Sequence, residues 1–213
     1  MDFTEARVAI IGLGLMGGSL AAALSASGRC RQVVGVARRR SSWTTALALC
    51  FIDKGTCNLQ QGLSDADIVI LATPVEDILR KIESIGPMLK PGCLLMDVGS
   101  TKATICEAMS RMPAHVQPVG GHPMCGKETS GLTMAEPDLY RDSVFVLAPL
   151  PRTAPDALAL AKSLVVDIGA RPLVIDPRRH DHIVAAISHL PYLLAVTLVG
   201  AAEELAEDDA LPW

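Results

Sequence analysis

The sequence predicts an α/β protein: a doubly wound, mostly parallel sheet followed by an all-helical segment. Three observations carry this. Short apolar runs alternate with helix-length stretches from residue 8 to residue 174, the pattern of βαβ units. The first apolar run, residues 8–11, enters three glycines spaced G-x-G-x-x-G at Gly12, Gly14 and Gly17. After Asp176 and Pro177 no strand signal returns.

The elements follow in order. Residues 8–11 form the first strand and residues 15–27 the first helix. Residues 32–37 give a second strand and 43–50 a helix. Residues 67–72 are continuously apolar after Asp67, as a strand buried on both faces should be. A helix over 76–88 stops before Pro91 and Gly92. Residues 94–98 form another buried strand, followed by a helix from about 102 to 112. Short strands are expected at 116–119, 143–147 and 171–174, with an amphipathic helix over 156–168 between the last two.

The chain divides into residues 1–176, the sheet domain, and 177–213, the helical segment. In the latter Ile183, Ala186, Ile187, Leu190, Leu194, Leu198, Ala201, Ala202 and Leu205 recur at helical spacing,. Pro191 is expected to kink or split that helix. The acidic tail 203–209 reads as a solvated helix end. One long helix cannot bury its own apolar stripe. It must pack on the first domain, on a partner chain or on further helices.

Of 213 residues half are apolar and only 3% aromatic, which suits a sheet covered by Ala-, Leu- and Val-rich helices,. A net charge of −4 gives no reason to expect nucleic acid or an anionic membrane as partner,. No two of the six cysteines are spaced C-x-x-C. They read as small core residues in a reducing compartment,. The run from residue 8 to 26 lacks a basic n-region and is better explained by its glycines than as a signal peptide. No other run reads as an uninterrupted membrane span. The expectation is a cytoplasmic protein.

Strand, glycine turn and helix make an anion site from backbone N–H groups and the helix dipole. Gly12 permits the turn, Gly14 admits a pyrophosphate, and Gly17 lets the helix approach the strand. The backbone of Gly12, Gly14, Leu15, Met16 and Gly17 is therefore expected to hold a dinucleotide in a Rossmann-type domain. At the end of the second strand, where an NAD site usually places Asp or Glu, stand Ala37 and then Arg38, Arg39, Arg40 and Ser41. Arginine pairs with a 2′-phosphate through its planar fork, whereas a carboxylate repels it. NADP is thus favoured over NAD, with Arg38, Arg39 and Ser41 as contacts. A solvated basic turn is the alternative. Thr73 and Pro74 end a buried strand and should border the ribose or nicotinamide, with a plain proline turn as the alternative.

Two more segments fall at strand tops. Ser100 follows Asp97 and Gly99, where a helix N-cap is expected. His122 lies between Gly121 and Pro123 on what reads as a strand-top loop. It is either a proton acceptor near neutral pH or a hydrogen-bonded loop histidine.

Four segments stand in one order: Gly12 to Ser19, Asp97 to Lys102, Gly121 to Gly126, and Ile187 to Pro191, the last reading I-S-H-L-P. Together they resemble the TyrA family, the prephenate and arogenate dehydrogenases of tyrosine biosynthesis, over residues 8 to about 203. The resemblance implies a homodimer of Rossmann-type domains joined through a helical dimerisation domain. It implies oxidative decarboxylation of a small cyclohexadienyl acid with NAD or NADP and without a metal. It assigns His122 as acceptor of the ring hydroxyl's proton and Ser100 as the residue that orients this histidine and the nicotinamide. Glu128 matches an acidic residue at the pocket mouth, and a solvated loop carboxylate is the competing reading. Ser188 and His189 match residues that face substrate. His180 and His182 read as hydrogen-bonded structural histidines. His182 and His189, about 10 Å apart along a helix, cannot share a metal.

Two departures matter. Where prephenate-specific members often carry a second histidine after S-H-L-P, this chain has Tyr192, which leans the reading towards arogenate. The family also continues into helices bearing an arginine for the substrate carboxylate, and no such segment precedes Trp213. A fragment and a divergent short protein are both open. Two rivals remain. Another Rossmann reductase using a late catalytic lysine is disfavoured, since no lysine follows Ser163. A dinucleotide-binding module without catalysis would fit the short helical segment.

Overall fold

A computed structural model of the chain describes residues 3–207. The last acidic residues of the expected tail, Asp208 and Asp209, and Trp213 lie outside the described residues.

Eight strands form one sheet: β1 (Arg7–Ile11), β2 (Gln32–Val36), β3 (Lys54–Thr56), β4 (Ile68–Leu71), β5 (Leu94–Asp97), β6 (Gln117–Pro123), β7 (Val144–Pro149) and β8 (Arg171–Val174). Their order is β3-β2-β1-β4-β5-β6-β7-β8. All neighbours are parallel except β6 and β7. Six helices cover the two faces: α1 (Leu15–Ser27), α2 (Arg40–Ala48), α3 (Leu59–Leu63), α4 (Val75–Ile85), α5 (Ala103–Ser110) and α6 (Pro155–Asp167). The doubly wound, mostly parallel sheet expected from the sequence is the fold.

Alternation along the strands builds two cores. Val8, Ile10, Ile68 and Ile70 meet Leu20 and Leu24 of α1 and Ala161 and Leu164 of α6. Ala9, Ile11, Val69 and Leu71 point the other way, onto Ile78 and Ile82 of α4 and Ile105 and Met109 of α5. Strand order reverses at β1, so the crevice beyond β1 and β4 is the sheet's switch point, where ligands bind in open α/β sheets.

Several expectations need correction. β3 and α3 were not expected. They are short and polar, and β3 is held at the sheet edge by pairing to β2 rather than by an apolar run. β6 runs on through Gly120, Gly121 and His122 to Pro123, because β7 pairs with it, with His122 opposite Val146. His122 is thus a strand residue, not a loop residue. Cys93 and Cys106 are buried, and burial pushes both thiols up to about 12. Cys50 and Cys57, by contrast, are exposed.

From Pro177 to Glu207 the chain is helical: α7 (Pro177–Val184), a π turn (Ala185–His189) and α8 (Leu190–Glu207). The break expected at Pro191 takes the form of this π turn. Pro191 follows the π turn by two residues, at the start of α8. Because the helix runs on, the stretch Pro177–Leu205 is long and apolar enough by composition to cross a membrane, contrary to the sequence expectation. Its apolar side chains are bare: Leu194 is 62% exposed and Leu198 73%. The sheet domain therefore does not cover this stripe.

Candidate active site

The first half of the site is a cleft of about 910 Å³ at the switch point. Gly12 has φ +101°, and a Cβ there would lie 2.4 Å from the Ala72 carbonyl oxygen. A Cβ on Gly17 would lie 1.9 Å from the Gly12 oxygen. Only glycine permits this turn. Around Gly14 the opposite holds: nothing lies within 4 Å of an added Cβ. Gly14 caps α1 with no side-chain hydrogen bond, and the first turn carries no acidic residue. The first amide groups of α1 thus face open space with the positive end of the helix dipole behind them. That is a cradle of the size and polarity a pyrophosphate needs, so the residues present fit a dinucleotide.

The same turn is fastened from behind. Tyr140, fully buried, donates its hydroxyl to the Met16 carbonyl at 2.7 Å. Ser19 accepts the Glu136 amide at 3.0 Å. Neither contact has a local signal in the sequence, since both span more than 100 residues.

Arg38 and Arg39 line the cleft, as do Gly12, Gly14, Thr73 and Pro74. Ser42 lines it where Ser41 was expected. Leu15, Met16 and Gly17 form the first turn of α1 behind it. Arg80 and Lys81 on the opposite wall are engaged by Asp77, at 3.9 and 3.2 Å. Among the described residues no carboxylate pairs with Arg38 or Arg39, so their charge is free for a ligand. Arg40 instead turns into α2 and lies over the Trp43 ring at 5.7 Å.

The second half lies at the carboxyl ends of β5 and β6. Asp97, fully buried, accepts the amides of Gly99 at 2.8 Å and Gly121 at 2.9 Å. Its counter-ion is Lys102, equally buried, which also donates to the Gly121 carbonyl at 2.5 Å. Both backbone groups of Gly121 are therefore pinned, and with them the residue that follows. Glycine is needed here because a Cβ would meet the Asp97 carbonyl at 2.3 Å.

His122 is half-buried. Its Nδ1 lies 2.9 Å from Nε2 of His180, with the rings edge-on at 79°. His180, 2% exposed on α7, places its Nδ1 2.7 Å from Asp181 Oδ1. Asp181 in turn accepts the amide of Lys102 at 2.7 Å and that of Ala103 at 2.9 Å. Burial, then the Lys102 ammonium and His180, lower the His122 pKa from 6.5 to about 4. The imidazole is neutral at physiological pH. Burial pushes the Asp181 carboxyl up, but the two amides and His180 outweigh it and hold the group below 3.8.

Ser100 is exposed and is not the cap expected of it. α5 starts at Ala103, and its amides are capped by Asp181 from α7, 79 residues on. A carboxylate brought by tertiary packing has displaced the local hydroxyl. Glu128, five residues beyond β6, is exposed with no ion pair among the described residues. Ser188 and His189 sit exposed on the π turn, and His189 is near enough to act on the His122 charge. His182 Nδ1 lies 2.8 Å from the Arg178 carbonyl oxygen. Among the described residues no three His, Cys, Asp or Glu side chains gather as a metal site.

Comparison with known proteins decides the family. The family model described as prephenate dehydrogenase, nucleotide-binding domain, matches residues 20–174. That for the prephenate dehydrogenase dimerization domain matches residues 176–211. The chain belongs to the prephenate dehydrogenase family. It is 32% identical over 201 residues to the prephenate dehydrogenase of Bacillus subtilis, covering 93% of this chain and 54% of that protein. The crystal structure of Synechocystis arogenate dehydrogenase superposes with a TM-score of 0.84 at 32% identity, covering 96% of this chain and 75% of that one. The prephenate dehydrogenase of Aquifex aeolicus, solved with hydroxyphenyl propionate and NAD+, gives 0.85 at 30% identity, covering 92% and 68%. The chain spans about half the length of the curated relatives from B. subtilis and Lactococcus lactis that it matches.

Proposed function

We propose that this chain carries the dinucleotide-binding and proton-accepting parts of an arogenate or prephenate dehydrogenase of tyrosine biosynthesis. The observation that carries the reading is His122. It is a neutral imidazole, clamped through Gly121, at the carboxyl ends of the parallel strands, the side that also bears the glycine cradle.

The bound dinucleotide supplies the hydride acceptor. The glycine turn and the first amides of α1 hold its pyrophosphate, and Arg38 and Arg39 hold a 2′-phosphate, which makes NADP the preferred form. His122 accepts the hydrogen bond and then the proton of the ring hydroxyl. As that O–H bond breaks, the carbinol carbon gives up hydride. The carboxylate opposite then leaves as carbon dioxide, and its bonding pair enters the ring. Aromatisation makes the step irreversible. Ser100, exposed beyond β5, is the residue that orients His122 and the nicotinamide, while Glu128, Ser188 and His189 contact the substrate's polar groups. Tyr192, 70% exposed at the start of α8, replaces the second histidine of prephenate-specific members, which leans the reading towards the amino acid arogenate over the keto acid.

The bare stripe of α8 supports a homodimer formed through these helices, in keeping with the family model matched there. Six free cysteines suit a cytoplasmic location,. The full-length protein should reduce NADP+ when given arogenate or prephenate. Failure with both substrates and both dinucleotides would sink the enzymatic reading in favour of a binding module.

A further inference from the structure

His180 and Asp181 take no part in the reaction as set out above, yet their geometry fixes something that reaction needs. Neutral imidazole has one N–H and one lone pair, and which nitrogen holds the hydrogen decides whether a given nitrogen can act as a base. Among the described residues His122 has a hydrogen-bond partner at Nδ1 only.

The polarity of the chain can be read from its far end. Asp181 accepts two amide hydrogens at the start of α5 and is ionised. An ionised carboxylate only accepts. The hydrogen in its 2.7 Å contact with His180 therefore sits on Nδ1 of His180. With its one hydrogen on Nδ1, His180 has a bare lone pair at Nε2. The hydrogen in the 2.9 Å contact between the two rings must belong to Nδ1 of His122. Nε2 of His122 is left as a lone pair with no protein partner among the described residues.

We propose that His180, held by Asp181, is a positioning residue that locks His122 in its Nδ1–H tautomer and thereby makes Nε2 the acceptor of the substrate's hydroxyl proton. The proposal rests on the reading of His122 as the base. When the hydroxyl O–H bond breaks and an Nε2–H bond forms, His122 becomes an imidazolium. It keeps its Nδ1–H towards His180, and the Asp181 carboxylate lies at the end of the chain to offset the new charge. The charged and titratable groups bearing on that imidazolium are Lys102 from the start of α5, His180 and Asp181 from α7, and His189 from the π turn. A doubly protonated His180 would reverse the order and put the hydrogen on Nε2 of His122, which could then accept nothing.

The arrangement also joins the two parts of the chain. Asp181 caps a helix of the sheet domain while its neighbour orients a residue on β6. The docking of α7 is thus coupled to the chemistry, and the helical segment does more than provide an assembly surface.

Long-range proton–nitrogen correlation spectra of the 15N-histidine-labelled chain at neutral pH read the tautomer directly. The expected result is a single His122 form, hydrogen-bearing at Nδ1 and bare at Nε2. In His180→Leu the lock is gone, and His122 should become a mixture including the Nε2–H form. In His180→Gln the amide oxygen can accept from Nδ1, and the single form should return. In the full-length protein, His180→Leu should lower kcat about 100-fold, in the range of general-base contributions, with KM for the dinucleotide unchanged and His180→Gln restoring much of the loss. A wild-type His122 with hydrogen on Nε2 overturns the proposal. So does a His180→Leu variant with unchanged tautomer and unchanged kcat. The spectrum needs no substrate, so a protein inactive on both substrates would sink the dehydrogenase reading while the tautomer is still decided.

Discussion

Asp97 accepts the amide of Gly121 at 2.9 Å, across 24 residues of chain. The end of one parallel strand thereby fixes the backbone immediately before His122 on the next. Lys102 completes the clamp from the other side of the same glycine. Since both charges are fully buried, removing one leaves the other without a counter-ion, at a cost of about 3–5 kcal/mol. Lys102→Met should therefore lower stability by that amount in urea unfolding. The double variant with Asp97→Asn should lose less than the sum of the single losses, as coupled sites do.

The dinucleotide cradle separates folding from binding at two glycines. Gly14→Ala adds a methyl where nothing stands within 4 Å, so the protein should fold normally and lose dinucleotide affinity in calorimetry. Gly17→Ala puts the methyl against the Gly12 carbonyl and should lower the unfolding midpoint as well. Arg38→Ala removes a charge-assisted contact worth about 1.5–3 kcal/mol. NADP affinity should fall roughly tenfold or more, with little change for NAD. Equal wild-type affinity for both dinucleotides would contradict the assignment of Arg38 and Arg39.

The apolar stripe of α8 is left bare by the sheet domain, with Leu190, Leu194 and Leu198 each more than half exposed. A second copy of the chain is the proposed cover. Sedimentation equilibrium at micromolar concentrations should show a dimer, and Leu194→Glu combined with Leu198→Glu should give monomers. A wild-type chain that stays monomeric and soluble over that range would count against the dimer.

Acid should destabilise the fold in a defined window. His122 titrates near its ordinary 6.5 when unfolded and at about 4 when folded. Between those values the unfolded chain binds the extra proton, so stability is full above pH 6.5 and falls as the pH drops towards 4. Asp181, held below 3.8 in the fold, is a depressed carboxyl. Its contribution is present above the unfolded value and is lost below it, as the pH falls through the folded one. Urea midpoints measured from pH 7 to pH 4 should decline, and His122→Asn should flatten that decline.

What was legible in the sequence was local. The glycine turn could be read because strand, turn and helix adjoin in the chain, and the basic turn at Arg38 because it follows β2 directly. His122 was visible as a residue but not as part of a strand. Gly120, Gly121 and Pro123 carry little strand propensity, and the pairing with β7 comes from 22 or more residues away. Ser100 reads as the cap of α5 because a local hydroxyl is the usual cap. Asp181 takes that place only because α7 packs there. The roles of Lys102, Tyr140 and His180 rest on contacts of 19, 124 and 58 residues' separation, beyond the reach of any periodicity.

The most direct test of the account is the turnover of His122→Asn in the full-length protein, followed as reduced dinucleotide formed from arogenate and from prephenate, beside calorimetric dinucleotide binding. Loss of the base should reduce kcat by about 10²–10⁴-fold and leave dinucleotide affinity unchanged, since Gly12 to Gly17 and Arg38 are untouched. Wild-type turnover by His122→Asn on either substrate would contradict the assignment of the base and the account built on it.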